Sequence, residues 1–310
     1  MIKKNKIVAI QTDPLDSMNI KTDTTILLAL EAQKRGFRIF CYETKNLSFI
    51  NGKVYALSKE VTFNINAKNF YTIKNIKKLD LSKVNYILMR QNPPFNMNYI
   101  TATFLLEKIS KKVRIINDPT SVRNIPEKLH SIEFLKLMPP TIFTKDIKEI
   151  EKFKKKYKKI VVKPTHGYGG KNILFIDSNL NRNKMSKYIK KHDYVMVQKF
   201  LPQIKYGDKR VFIINGQVVG AISRVPKKGS FLSNLCKGAS AKLIKLTKNE
   251  LSISKIVAKD LKQNNIYFAG IDFISGKLNG DINVTSPTGL KTFFDLSGIN
   301  LAKVFWNNLK

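Results

Sequence analysis

The stretch IVVKPTHGYGGKNILFI (160–176) places a glycine-rich turn between two short apolar runs. Such runs of aliphatic and β-branched residues predict two strands joined at the turn. The backbone N–H groups of the three glycines can cradle phosphate oxygens, although glycine also serves a plain hairpin that needs positive φ. The turn is not a Walker loop, because Thr165 stands at the first glycine position and Asn172 follows Lys171.

A lysine ends the first of these apolar runs. Lys163 stands between Val162 and Pro164, at the end of a strand that we expect to be buried. A buried ammonium group is costly unless its charge meets an anion. Since a glycine-rich turn that could cradle phosphate oxygens follows directly, the pattern predicts that Lys163 meets an anion such as a phosphate.

A second constellation lies in GIDFISGKLNGDINVTS (270–286), which predicts two strands joined by a short turn. Asp272 then lies opposite Asp281 and Asn283, and residues two apart on a strand share a face. Three hard oxygen ligands suit Mg²⁺, which also bridges substrate phosphates. Asp and Asn near a hairpin can simply form the turn, but Asp272 interrupts an apolar run, where an unpaired carboxylate is expensive.

Two arginines interrupt apolar strand sequence further along the chain. Arg210 lies in GDKRVFI and Arg224 in AISRVP, although the chain has only eight arginines in all. A planar guanidinium can hold a carboxylate or a phosphoryl oxygen in bidentate fashion, which a lysine cannot. Substrate binding and a structural ion pair are both compatible with this pattern.

The first 120 residues alternate apolar strands with helices, as in a parallel sheet. We expect strands at 6–10, 38–43, 84–89 and 113–116, and helices at 23–36 and 98–109. The order predicts a Rossmann-like domain over residues 1–120. A dinucleotide site is disfavoured, because TDPLDS follows the first strand in place of a G-x-G-x-x-G motif.

A different pattern begins after residue 120 and predicts a second domain over 121–310. Helices are expected at 126–137 and 145–157, and from about residue 194 short strands dominate, broken by one helix near 248–264. We divide this domain into subdomains at 121–197 and 198–310. The fold class is therefore α/β at the N-terminus followed by α+β.

Charge is the most conspicuous bulk property, with 56 Lys and Arg against 22 Asp and Glu and a net charge of +34. A nucleic acid or an anionic membrane is the first partner that such a charge suggests. The basic residues are nevertheless spread along the whole chain, and the densest run, 152–159, reads as the solvated face of one helix. We expect no specific nucleic-acid partner, while the positive field favours anions such as ATP.

Targeting signals are not visible in the sequence. The first sixteen residues, MIKKNKIVAIQTDPLD, hold too short an apolar run for a signal peptide, and no run of about 18 apolar residues could cross a membrane. Cys41 and Cys236 stand in no disulfide framework or metal-binding spacing, which fits a reducing compartment. We expect a cytoplasmic protein without a membrane partner.

Five motifs occur in the order typical of one family. They are MRQNPPFNMNYITAT (89–103), NDPTSVRNIPEKL (117–129), KPTHGYGGKNI (163–173), QKFLPQIKYGDKRVF (198–212) and INVTSPTG (282–289). Over nearly its whole length the chain resembles the prokaryotic glutathione synthetases. The resemblance implies a Rossmann-like, pre-ATP-grasp N-terminal domain followed by a two-part ATP-grasp domain, and it implies a homo-oligomer.

The resemblance also implies a role for individual residues. Arg210 and Arg224 are the catalytic candidates, and Asp272, Asp281 and Asn283 are the candidate ligands of Mg²⁺, or of Mn²⁺ in its place. The candidate ATP contacts are Lys128, Lys163, Gly167, Gly169, Gly170, Gln198, Lys199, Phe200, Leu201 and Asp208. The candidate substrate contacts are Asp13, Ser17, Asn19, Arg90, Pro93, Asn234, Ser286, Pro287, Thr288 and Gly289.

The implied reaction joins γ-glutamylcysteine to glycine at the expense of ATP, through an acyl phosphate. An ATP-grasp ligase with another carboxylate and amine, or a weakened nucleotide-binding paralogue, is the alternative. Some residues depart from the family pattern: Asn92 and Asn96 stand where aspartates are usual, Asp281 replaces a glutamate in a slightly longer hairpin, and Leu232 replaces an arginine in loop 225–242. These departures bear on metal affinity and on substrate retention.

Overall fold

A computed structural model describes residues 6–226 and 239–309, and three sheets organise them. The strands are β1 (Ile7–Gln11), β2 (Arg38–Tyr42), β3 (Leu47–Ile50), β4 (Lys53–Phe63), β5 (Tyr71–Asp80), β6 (Tyr86–Met89), β7 (Arg114–Ile116), β8 (Thr141–Thr144), β9 (Ile160–Pro164), β10 (Leu174–Ile176), β11 (Val195–Lys199), β12 (Asp208–Ile214), β13 (Gln217–Val225), β14 (Ser240–Leu243), β15 (Phe268–Ile274) and β16 (Lys277–Asn283).

Eight α-helices accompany these strands. They are α1 (Thr24–Lys34), α2 (Met97–Glu107), α3 (Pro119–Asn124), α4 (Ile147–Tyr157), α5 (Arg182–His192), α6 (Lys248–Gln263), α7 (Leu290–Ser297) and α8 (Leu301–Asn307). Short 3₁₀ helices cover Leu15–Ser17, Thr44–Asn46, Leu81–Lys83, Leu129–Leu137 and Pro202–Tyr206. No helix in the described part of the chain is both long and apolar enough to cross a membrane.

The N-terminal sheet has the strand order β3-β4-β2-β1-β6-β7, with β5 paired to β4. Its strands β1, β2, β6 and β7 run parallel, which confirms the Rossmann-like prediction. The sequence analysis missed the antiparallel strands β3 to β5, although alternating burial along β4 follows the period of two that marks a strand with one buried face. The order reverses between β1 and β6, so both strands end at one crevice near Gln11 and Met89.

The second sheet, β10-β9-β11-β8, is antiparallel, and α4 and α5 pack against it. Strand β10 pairs with β9 across the glycine-rich turn, so the predicted hairpin is confirmed. The helix predicted at 145–157 is confirmed as α4. The helix predicted at 126–137 is wrong in type: residues 129–137 form a 3₁₀ helix with a kink at Phe134, and α5 was not predicted.

The third sheet, β14-β13-β12-β15-β16, is also antiparallel. The prediction of a single helix after residue 194 is wrong, because α7 and α8 follow α6. These two helices pack on α1 of the N-terminal part, where the indole nitrogen of Trp306 donates to the Leu28 carbonyl at 2.9 Å. The N-terminal part and the five-stranded sheet therefore share buried core, and the domain division at 120 and 197 stays a prediction.

Asn117 joins the N-terminal part to the five-stranded sheet, a contact that we call the junction, by hydrogen bonds. Its side-chain oxygen accepts from the backbone N–H of Tyr267 and Phe268, at 3.0 and 2.8 Å. Its side-chain nitrogen donates to the carbonyls of Phe268 and Val284, at 2.8 and 2.6 Å. One buried amide thus ties the end of β7 to the strands β15 and β16, which carry the predicted metal ligands.

Candidate active site

A cavity of about 530 Å³ lies between the faces of the four-stranded and five-stranded sheets. Most of the site residues predicted from the sequence line this cavity. The predicted site residues that line it are Pro93, Lys128, Lys163, Gly167, Gly169, Gly170, Gln198, Lys199, Phe200, Leu201, Asp208, Arg210, Arg224, Asp272, Asp281, Asn283, Ser286 and Thr288.

Two arginines and two aspartates form a buried network on the five-stranded sheet. The network follows from register, because Arg210 faces Asp272 and Asp208 faces Arg224 across neighbouring strands. The Arg224 guanidinium donates in bidentate fashion to Asp208, at 2.8 and 2.5 Å, and also lies 3.0 Å from Asp272. The Arg210 guanidinium likewise donates to both carboxylate oxygens of Asp272. The two arginines therefore form ion pairs within the cavity wall.

Burial and charge act against each other on this network. Burial alone would raise the pKa of Asp272, but the charges of Arg210 and Arg224 outweigh it and hold that pKa below its usual value. The pKa of Arg224 is raised above its ordinary value, because Asp272 and Asp208 outweigh the effect of burial. Asp272 and Arg224 are therefore held in their ionised forms, and the guanidinium of Arg224 lines the cavity.

Two lysines share one carboxylate, that of Asp281 on β16, the neighbour of β15. Lys128 and Lys163 each place the ammonium nitrogen 3.4 Å from an oxygen of Asp281. Lys163 also donates to the carbonyl and the side-chain oxygen of Asn279, at 3.1 and 3.0 Å. Burial lowers the pKa of Lys163, whereas the two lysines hold the pKa of Asp281 far below its usual value against the effect of burial. The group carries two positive charges and one negative charge, which suits an anionic phosphate.

The predicted metal ligands fit a hard cation by their chemistry. Asp281 and Asn283 lie two residues apart on β16 and both line the cavity. The side-chain nitrogen of Asn283 donates to the Gly270 carbonyl at 3.0 Å, which leaves the amide oxygen as the acceptor for a cation. Asp272 already accepts from arginines at both oxygens, so a cation would share this carboxylate with them. Carboxylate and amide oxygens with substrate phosphates form the usual Mg²⁺ environment.

The pairing of β15 and β16 is interrupted beside these ligands. Ile271 pairs with Ile282 but Phe273 pairs with Leu278, so a bulge interrupts the ladder opposite Asp272. Gly280 occupies the bulge with a φ of 80°. Asp272 therefore has no direct partner on β16, contrary to the simple opposition that the sequence predicted. The bulge nevertheless leaves Asp281 on the cavity side.

The glycine-rich turn is held by a lysine from across the cavity. Lys128 donates a hydrogen bond to the carbonyl of Gly167. Gly169 and Gly170 have φ values of 62° and 67°, which residues with a Cβ rarely adopt. The ring of His166, in the same turn, stacks on Phe95 at 6.2 Å between centroids. The turn therefore contacts both the N-terminal part and Lys128.

An apolar wall lies at the end of the cavity near the link between the two sheets. The link continues from β11 through Gln198 to Leu201, and Gln198 is fixed by a hydrogen bond from its amide to the Thr141 hydroxyl at 3.0 Å. Apolar side chains surround this link and line the cavity, namely Pro139, Val161, Ile173, Phe200, Leu201, Ile204 and Ile274. Such a wall suits a flat aromatic base.

Several predicted substrate contacts lie away from the cavity wall, namely Asp13, Ser17, Asn19, Arg90, Pro287 and Gly289. Arg90 is buried, and burial lowers its pKa to about 10. Its guanidinium donates to the Thr25 hydroxyl at 3.1 Å and to the Pro287 carbonyl at 2.9 Å. Arg90 thus holds the turn 286–288 through the Pro287 carbonyl. Asn234 and most of the loop 225–242, with Leu232, lie outside the described residues.

Six polar residues on the described cavity wall were not predicted as site residues, namely Asn92, Glu127, Tyr168, Lys171, Asn279 and Thr285. Asn279 shares the face of Asp281 by the period of two along β16, and that period was a signal that the sequence offered. Glu127 directly precedes Lys128 and accepts a hydrogen bond from the Thr285 hydroxyl at 2.7 Å. Nothing in the local pattern marked Glu127, because its contact lies 158 residues away.

A nucleotide-sized cavity between two α+β halves, with a glycine turn and lysines at one end and an apolar wall at the other, defines an ATP-grasp protein. Family models make the assignment specific. The model of the N-terminal domain of prokaryotic glutathione synthetase matches residues 7–123, and the model of its ATP-grasp domain matches residues 127–298. The chain belongs to the prokaryotic glutathione synthetase family.

Relatives named glutathione synthetase match nearly the whole length of the chain. The glutathione synthetase of Bradyrhizobium diazoefficiens is 38% identical over 306 residues, which are 98% of this chain and 97% of that protein. The glutathione synthetase of Mesorhizobium japonicum is 39% identical over 304 residues, which are 97% and 96% of the two chains.

Solved structures share the fold at much lower identity. The crystal structure of a D-cycloserine synthetase matches with a TM-score of 0.67 at 13% identity, and it covers 98% of this chain and 100% of its own. D-alanyl-alanine synthetase A of Vibrio cholerae matches with a TM-score of 0.63 at 12% identity, covering 99% and 98%. These likenesses confirm the ATP-grasp fold alone.

Proposed function

We propose that this protein is a glutathione synthetase, which joins γ-glutamylcysteine to glycine and converts ATP to ADP and phosphate. Family membership over nearly the whole chain supports the choice of substrates. The observation that carries the chemistry is the convergence of two lysines and two arginines on one cavity between the sheets. Phosphoryl and acyl transfer both develop negative charge, and fixed cations stabilise that charge.

The reaction divides into two balanced steps. The cysteinyl carboxylate attacks the γ-phosphorus of ATP, so an O–P bond forms and ADP leaves with the bonding electrons. The glycine ammonium group loses one proton, and the free amine attacks the acyl carbon. A C–N bond forms, phosphate leaves as the C–O bond breaks, and the nitrogen releases a second proton as the amide forms. We assign the phosphate oxygens to Lys128 and Lys163, and the acyl phosphate and its tetrahedral successor to Arg210 and Arg224.

The remaining predicted contacts divide by the shape of the cavity. The apolar wall with Gln198 to Leu201 holds adenine, and the turn 167–170 covers the phosphates. Asp281, Asn283 and Asp272 would hold a divalent cation, which we propose to be Mg²⁺, with Mn²⁺ able to replace it. When bound, such a cation neutralises phosphate charge and orients the transferred group.

Further properties follow from family and composition. We propose that the dipeptide lies between the crevice at the ends of β1 and β6 and the turn 286–288. We also propose a homo-oligomer in the cytoplasm, with no membrane partner and no specific nucleic-acid partner. The wide distribution of the basic residues, which forms no single patch in the sequence, supports the last point.

The test is ADP release with Mg²⁺ and ATP, with γ-glutamylcysteine and glycine added separately and together. The proposal expects steady ADP release only when both are present, and a product with the mass of glutathione. Turnover with a different amine or dipeptide under the same conditions, and none with this pair, would assign another substrate pair. Salt-sensitive retention on DNA without any turnover would contradict a ligase altogether.

A further inference from the structure

Glu127 differs from the other carboxylates of the cavity. Four carboxylates line its described wall, and three of them lie within 4.0 Å of a lysine or arginine nitrogen: Asp208, Asp272 and Asp281. Within residues 6–226 and 239–309, Glu127 forms no such ion pair, and its side chain accepts from the Thr285 hydroxyl. Burial raises its pKa, and the charge of Lys128 offsets only part of that effect. Within the described residues, Glu127 is therefore the cavity carboxylate without a lysine or arginine nitrogen inside 4.0 Å.

Glu127 also lies at the reacting end of the cavity. It is the neighbour of Lys128 in the chain, and its backbone carbonyl accepts from the Ile282 N–H, directly after Asp281. Its side chain borders both the main cavity and a small side crevice between Phe95 and the turn at 165–168. Thr285, its hydrogen-bond partner, leads into the turn 286–288. The carboxylate thus stands where phosphate and substrate meet.

We propose that Glu127 binds the ammonium group of glycine beside the acyl phosphate. This inference rests on the proposed function and adds the residue that selects a charged amine. We place the acyl carbon near Lys128 and Lys163, which share the single carboxylate of Asp281 and repel an ammonium group. Glu127, which forms no ion pair with a lysine or arginine in the described part of the chain, supplies the opposite charge at this point.

The distance from the acyl carbon distinguishes the glycine ammonium group from the ammonium group of γ-glutamylcysteine. An attacking nitrogen must come within about 3–3.5 Å of the acyl carbon, so the glycine ammonium enters at the phosphate end. The γ-glutamyl ammonium is separated from the same carbon by two residues, or at least roughly 7 Å in an extended chain. We place that second ammonium farther along, toward the N-terminal crevice.

The experiment compares Glu127→Gln with Glu133→Gln in steady-state kinetics of the full-length protein. Both substitutions remove one carboxylate charge without changing size, and Glu133 is exposed on the nearby 3₁₀ helix. Loss of a charge-assisted hydrogen bond predicts a KM for glycine raised about 10- to 100-fold in Glu127→Gln, with little change for ATP or γ-glutamylcysteine. Glu133→Gln should match the unmodified protein.

Hydroxylamine provides the second measurement, because it is uncharged at neutral pH and traps acyl phosphates as hydroxamates. Glu127→Gln should form hydroxamate at nearly the unmodified rate while its ligation of glycine falls. An equal loss with both nucleophiles, an unchanged KM for glycine, or a KM raised chiefly for ATP or for γ-glutamylcysteine would overturn the assignment. If the unmodified protein does not ligate glycine, the proposed function itself fails instead.

Discussion

Gly207 provides a sharp test of the arginine–aspartate network. It ends the 3₁₀ helix Pro202–Tyr206 with a φ of 105° and directly precedes Asp208. A Cβ added at Gly207 would lie 2.7 Å from the backbone carbonyl oxygen of Arg224. Since that atom belongs to a sheet strand, it cannot swing away as a side chain would. Gly207→Ala should therefore push β13 away from β12 at the Asp208–Arg224 pair.

The magnitude follows from comparison with Gly276→Ala. Gly276 lies in the turn between β15 and β16 with a φ of 74°, and an added Cβ would meet only the Asn249 side-chain nitrogen, at 4.0 Å. An alanine in the left-handed region costs about 1–2 kcal/mol, and this cost applies to Gly276→Ala. Gly207 combines its φ of 105° with a ψ of 168°, a conformation used almost only by glycine, so the backbone strain in Gly207→Ala is at least as large, at about 1–3 kcal/mol. Overpacking against backbone adds about 1–3 kcal/mol in Gly207→Ala alone.

Urea unfolding and ADP release measure the two effects. Gly207→Ala should lower the free energy of unfolding by about 1–3 kcal/mol more than Gly276→Ala, and it should also lower turnover, because the Arg224 guanidinium shifts. Gly276→Ala should retain turnover. Equal destabilisation of the two variants, or full turnover in Gly207→Ala, would refute the idea that this close approach positions Arg224.

Three further predictions address the junction, the network and Glu127. Asn117→Ala should lower the free energy of unfolding by at least about 3 kcal/mol, because four buried backbone groups lose their hydrogen-bond partner. The control Asn249→Ala removes one exposed hydrogen bond and should change the free energy of unfolding little, and urea unfolding measures both variants. Arg224→Lys should lower kcat by at least about tenfold, because a lysine cannot hold Asp208 in bidentate fashion. A steady-state kcat within about twofold of that of the unmodified protein would contradict this prediction. The raised pKa of Glu127 means that the folded state disfavours its ionised form, so unfolding becomes easier as pH rises above the unfolded value of 4.5. Glu127→Gln should therefore be more stable than the unmodified protein in thermal unfolding at pH 7, with the gain vanishing near pH 4.

The sequence predicted those features whose signals are local. The parallel strands β1, β2, β6 and β7 are short apolar runs, and the hairpin around the glycine-rich turn is flanked by two such runs. Arg210 and Asp272 were recognised because a charge within an apolar strand requires a partner. In each case a few neighbouring residues carry the physical reason.

The features that the sequence did not predict depend on distant contacts. The pairing of Arg210 with Asp272 depends on the register of β12 and β15, and local sequence does not determine a contact between residues 62 positions apart. Glu127 acquires its surroundings from Thr285, and α8 packs on α1 from the far end of the chain. The bulge at Gly280 likewise follows from how β16 pairs with β15. Tertiary packing decides these points.

Transfer of labelled oxygen tests the proposed reaction most directly. γ-Glutamylcysteine with ¹⁸O in both oxygens of its cysteinyl carboxylate would be incubated with the protein, Mg²⁺, ATP and glycine, and the products analysed by mass. The proposed reaction predicts one labelled oxygen in the released phosphate and one in the new amide of glutathione. Unlabelled phosphate beside newly formed glutathione would contradict the acyl phosphate, and the absence of glutathione would contradict the proposed function.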